Sequence, residues 1–145
     1  MKIKLLMHPM KKILYESRFL SIAFDEANAM LILHWQEQIM DVEEFEVEVH
    51  QIGEAALAHR PLRLLGNAQL LQFTMSPDIQ QWHDTTIIPM YKAAGVVRLA
   101  IVVSEDIFSQ VSIEQTLESE NAQSAFLTEY FDSDESAEKW LLSHQ

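Results

Sequence analysis

The chain has 145 residues, 48% hydrophobic and 22% charged, a balance that fits one hydrophobic core and excludes the apolar-poor composition of a disordered chain. Ten Lys and Arg stand against 22 Asp and Glu, and the net charge of -12 opposes binding to nucleic acid or anionic lipid. The absence of cysteine excludes disulfides, thiolate metal sites and a Cys nucleophile, and fits a reducing, cytoplasmic setting.

At the start, Lys2, Lys4, Lys11, Lys12 and Arg18 against Glu16 give residues 1–18 a charge of +4, which leaves -16 for the rest. Residues 1–11 read as an irregular basic leader, expected to be disordered, with Met10 as an alternative start; residues 12–145 read as a single domain. His8, Pro9, Lys11 and Lys12 interrupt any signal-peptide core, and the longest apolar runs, such as 99–103, fall far short of the roughly 20 residues of a membrane span. No transmembrane segment is expected.

Residues 13–16 predict a weak edge strand. Residues 19–24 and 29–35 are strand-like runs around Asp25, Glu26, Ala27 and Asn28, a turn-prone spacer that predicts a β-hairpin. Val42, Phe45, Val49, Ile52 and Ala56 share one helical stripe over 41–59, and Asp41 with Glu44 supplies a start signal. Glu43, Glu44, Glu46 and Glu48 read as a solvated face of that helix, since a calcium loop needs a turn glycine.

Pro61 ends the helix, and Leu62, Leu64 and Leu65 form a short strand closed by Gly66 and Asn67. Ser76 before Pro77 is a helix start, with Ile79, Trp82, Thr86 and Ile87 facing inward and a kink imposed by Pro89. Residues 96–103 are apolar apart from Arg98 and predict a central strand covered on both faces. Ser112 with Gln115 resembles a capping box for a short acidic helix reaching Glu120, with 121–124 as a loop. Residues 126–131 predict a strand. Asp132 and Glu135 open a last helix with Ala137, Trp140 and Leu141 inward. This order predicts an α/β fold: a mixed sheet of four to five strands, mostly parallel after the hairpin, packed with about four helices.

Several strings resemble the SpoIIAA-like group of small bacterial proteins, related to the STAS and SEC14 (CRAL-TRIO) domains. They are residues 95–103, Asp106 to Phe108, Tyr130 to Asp132, and Ser136 to Leu141, within a resemblance that covers roughly 13–142. The resemblance implies a mixed sheet with helices and, in STAS domains that antagonise anti-sigma factors, a switch serine in an Asp-Ser-Ser-Gly string. Here that place reads Met75-Ser76-Pro77-Asp78, without the glycine or tandem serines, so Ser76 reads as a helix cap. SEC14-type domains imply an apolar cavity, which would be small at this length.

No motif dictates a chemistry, and no catalytic residue, metal site or cofactor is assigned. The six histidines, His8, His34, His50, His59, His83 and His144, show neither HxH nor HxxxH spacing. His83 beside Asp84, or His34, is the candidate acid-base residue of an alternative enzymatic reading. The three glycines form neither a dinucleotide loop nor a Walker loop, and no G-x-S-x-G string exists. Phe73, Met75, Ser76, Trp82 and Met90 gather large adaptable side chains around one loop and the kinked helix. They are the candidate contacts for a small apolar ligand or a protein partner, a second copy of the chain included.

Overall fold

Strands β1 (Lys11–Glu16), β2 (Leu20–Asp25) and β3 (Met30–Trp35) form an antiparallel meander in the computed structural model, which describes residues 11–143. The predicted hairpin turn closes through Asp25, whose carboxylate accepts the Asn28 backbone N–H at 3.2 Å and its side-chain amide at 2.8 Å. Lys11, assigned above to the leader, is already paired in β1. Residues 1–10, with the remainder of that leader and Met10, lie outside the described residues.

Helix α1 (Val42–His59) follows, and its predicted start is present in full. The Glu44 N–H donates to Asp41 Oδ1 at 2.8 Å while Glu44 Oε1 accepts the Asp41 N–H at 3.0 Å. Phe45, Val49, Ile52 and Ala56 are buried, whereas Val42 at the end of the stripe is exposed. Glu48 departs from the solvated face expected of it: it is buried and accepts hydrogen bonds from Tyr15 Oη at 2.9 Å and Ser17 Oγ at 2.5 Å. Those two donors replace the water a buried carboxylate loses.

Strand β4 (Arg63–Asn67) lies parallel to β3 and is buried throughout. The chain next crosses residues 68–76 and enters a helical run of α2 (Pro77–Trp82), a π turn (His83–Ile87) and α3 (Ile88–Ala94). The π turn resolves the Pro89 problem, because the Ile88 N–H reaches back to His83 O and Pro89, which has no N–H, begins a fresh helix. Strand β5 (Arg98–Val102), helices α4 (Ile107–Leu117) and α5 (Glu120–Ala125), strand β6 (Leu127–Phe131) and helix α6 (Asp134–Leu142) complete the described chain.

The sheet therefore has six strands in sequential order, β1-β2-β3-β4-β5-β6, rather than four or five, because the weak edge strand pairs with β2 on both sides of a register shift at Leu14. The last four are parallel, and β5, expected at the centre, is an interior strand paired on both sides but next to the edge strand β6. Crossovers of one hand that always step the same way must land on one face. Accordingly α1 to α5 share a single large core with one side of the sheet, and α6 alone packs on the other through Met30, Leu65, Ala100, Val102, Ala137 and Leu141.

Four further expectations change. Helix α4 starts at Ile107 with Asp106 as its cap, so Ser112 lies in mid-helix and opens nothing. Residues 121–124 belong to α5, capped by Ser119, and Ser133 rather than Asp132 caps α6. Counting the run from Pro77 to Ala94 once, the described residues hold five helical segments rather than four. None of their helices is long and apolar enough to cross a membrane.

Candidate functional site

Between the sheet and the helices of the large core lies an apolar cavity of about 90 Å³. The sheet supplies alternate residues, Leu33 and Trp35 from β3, Leu64 and Gly66 from β4, Leu99 and Ile101 from β5, as a period of two requires. Leu33, Gly66 and Ile101 are neighbours in register, so the glycine is a missing side chain in the middle of that row. A Cβ at Gly66 would come within 3.2 Å of Ile101 Cδ1. The opposite wall is Phe45, Val49 and Ile52 of α1, His83 of the π turn, Tyr91 of α3, and Ile113, Thr116 and Leu117 of α4.

Ala68, Leu71 and Met75 form a third wall from a segment without regular structure, and α4 holds that segment in place. Its Phe73 and Met75 N–H groups donate to Ser109 Oγ at 2.9 Å and Ser112 Oγ at 3.0 Å, and Ser104 Oγ donates to Leu71 O at 2.8 Å. Side-chain hydroxyls thus do for residues 71–75 what a neighbouring strand would do, satisfying buried backbone groups. Sequence reasoning missed Ser104 and Ser109 and read Ser112 as a cap, because no local pattern announces a hydroxyl whose partner is 33 to 37 positions away.

His83 is the polar feature of the cavity. It is 92% buried, on its 8% relative exposure, and its Nδ1 has no hydrogen-bond partner. Burial pushes its imidazole down to about 4 against the raising effect of Asp84, so the ring is neutral near pH 7. The ring packs edge-on against Tyr91 at 6.3 Å, and burial raises the Tyr91 phenol far above its ordinary range. Asp84 does not serve His83: its carboxylate accepts Ser119 Oγ at 2.6 Å and Asn121 Nδ2 at 2.9 Å, tying the π turn to α5. The adjacent pair is therefore not assembled as a catalytic dyad.

Of the five sequence candidates, Met75 lines the cavity. Phe73 lies behind the wall, stacked on Phe45 at 4.1 Å. Ser76 caps α2, with the Ile79 N–H on its Oγ at 3.4 Å. Met90 packs where Gly53 of α1 has no side chain, its Sδ 2.7 Å from the place a Cβ would take. Trp82 is half-buried beside the large core. His34 is on the opposite face of the sheet, its Nε2 3.8 Å from Asp134 Oδ2 and its Nδ1 without a partner, so the two candidate histidines do not meet. Among the described residues no three His, Asp or Glu side chains converge to hold a metal. Compared with protein-family models, curated proteins and solved structures, the chain matches none.

Proposed function

We propose that the chain is a cytoplasmic, non-catalytic binding module of the SpoIIAA-like, STAS-related kind, and that it takes a small apolar ligand into the cavity between α1, α3, α4 and the sheet. The observation that carries this reading is a cavity walled by apolar side chains of the sheet, α1, α3 and α4, with Gly66 in its sheet wall. Such cavities stay dry and admit apolar guests. The separation of His83 from both Asp84 and His34 weighs against the alternative reading as an acid-base enzyme.

Isopentane is a suitable probe, followed by methyl NMR. The expected result is saturable shifts at Leu33, Leu99, Ile101 and Ile113, abolished in Gly66→Leu; absence of shifts at these methyls overturns the reading.

A second reading, a protein partner, rests on the outer face of α4. Ile107 is 69% and Phe108 71% exposed beside Val111, with Glu105, Asp106 and Glu114 next to them in the chain. An acidic rim around an apolar patch suits a basic amphipathic segment, and a second, equally acidic copy suits it poorly. Binding of a Lys/Leu amphipathic peptide that weakens steeply with salt and disappears in Phe108→Glu would support this reading; binding unaffected by that substitution would remove it.

A further inference from the structure

The two edges of the sheet are finished differently. The outer edge of β1 carries Lys11, Lys12 and a register shift at Leu14, devices that keep another strand from pairing there. The outer edge of β6 has neither a lysine nor a register shift. Its Leu127 N–H donates to Val97 O at 3.1 Å and its Phe131 O accepts the Val103 N–H at 2.9 Å, so these residues turn their backbone groups to β5. By strand alternation Thr128 and Tyr130 turn theirs the other way, and because β6 ends the sheet those groups meet no strand.

Beside this edge a groove of about 500 Å³ runs between β6 and α4, lined by Glu114, Leu117, Glu118, Phe126, Thr128 and Tyr130 among others. Glu114 accepts Gln110 Nε2 at 2.9 Å, and among the described residues neither Glu114 nor Glu118 is in an ion pair. Burial first, then Glu114 and Glu118, push the Tyr130 phenol up to about 12, which places both carboxylates within electrostatic reach of its hydroxyl. On the other face of the same strand Leu127 is 62% exposed.

We propose that the β6 edge takes an extended segment of a partner protein as a seventh strand, with Lys or Arg at every second position over Glu114 and Glu118 and apolar residues between them over Leu127. Main-chain bonds to Thr128 and Tyr130 supply affinity, and the side chains on the two faces supply selection. A lysine stem covers Leu117 and Phe126 as its ammonium reaches the carboxylates. A second copy fits poorly, since two β6 edges paired across a two-fold axis would bring like carboxylates together in a chain of net charge -12. Neither the cavity nor the patch around Phe108 takes part.

The test adds a Lys-Val-Lys-Val-Lys-Val peptide to the isotopically labelled full chain and follows amide hydrogen exchange by NMR. The Thr128 and Tyr130 amides should slow about tenfold once about nine-tenths of the protein is bound. Glu114→Lys combined with Glu118→Lys, both at exposed positions, should weaken binding about tenfold, the worth of two surface charge pairs. A Glu-Val peptide, and the Lys-Val peptide methylated on every backbone nitrogen, should each leave both amides unchanged. Phe108→Glu should leave the slowing in place. Slowing lost in Phe108→Glu overturns the edge in favour of the α4 patch, so the two surfaces are told apart. Equal slowing by the Glu-Val peptide overturns the basic class, and undiminished binding of the methylated peptide overturns strand pairing. Slowing that appears without peptide as protein concentration rises overturns the partner in favour of a second copy. Absence of slowing at both amides under saturating Lys-Val peptide overturns the proposal outright.

Discussion

The two faces of the sheet are held by different physics. On the crowded face α1 to α5 bury a broad apolar surface, and that surface tolerates a cavity with an unpartnered histidine on its wall. On the other face α6 has a small apolar contact and is fixed at both ends by directed bonds. Arg63 Nε donates to Leu141 O at 2.8 Å, and Arg98 Nη1 donates to Trp140 O and Ser143 O, each at 2.7 Å. These cations sit at the negative end of the helix dipole. At the first turn Asn67 Nδ2 donates to Asp134 Oδ1 at 2.7 Å. A lone helix needs its ends tied, whereas a helical layer gains enough from area to leave one buried polar atom unmet.

The largest expected effect is on the tied face. Arg63→Met removes two charge-assisted bonds, to Leu141 O and to Asn28 O, and strands buried carbonyls; urea unfolding should show a loss of about 4 kcal/mol, and a loss under about 1 would mean that α6 docks by area after all.

On the crowded face the corresponding effect depends on pH. His83 titrates at about 4 when folded against an ordinary value of 6.5, so the unfolded chain takes up a proton first as pH falls. Stability is intact above pH 6.5 and declines through that window, by roughly 3 kcal/mol from this group. Unfolding curves of the wild type and His83→Leu, compared across that pH range, should differ by this slope. Parallel curves would place His83 in contact with water.

Smaller effects sharpen the account of the cavity wall. Ser109→Ala leaves the Phe73 N–H without its acceptor and should cost about 2 kcal/mol by thermal unfolding. Gly66→Ala should change stability by less than about 1 kcal/mol, since Ile101 Cδ1 is the flexible end of a side chain, yet weaken isopentane binding severalfold by narrowing the cavity.

Local rules made much of this fold legible. The stripe from Phe45 to Ala56, the Asp41 and Glu44 cap and the Ser76 cap depend on residues three or four apart, and they form as their spacing demands. What stayed hidden depends on distant partners. Glu48 finds its donors 33 and 31 positions away, and Ser112, a plausible cap by spacing, instead receives an N–H from Met75, 37 positions away. Of the candidate site, Met75 was legible as a large side chain near the loop. His83 was singled out for its neighbour Asp84, and that adjacency in sequence said nothing of Ser119 and Asn121, which hold the carboxylate.

The central claim is that the crowded face of the sheet holds space for a guest. A crystal structure of the protein under xenon pressure tests it most directly. The account predicts one xenon site between Leu33, Ile101 and Ile113, beside His83, and none between the sheet and α6. An empty cavity with xenon lodged against Leu65 and Val102 instead would contradict it.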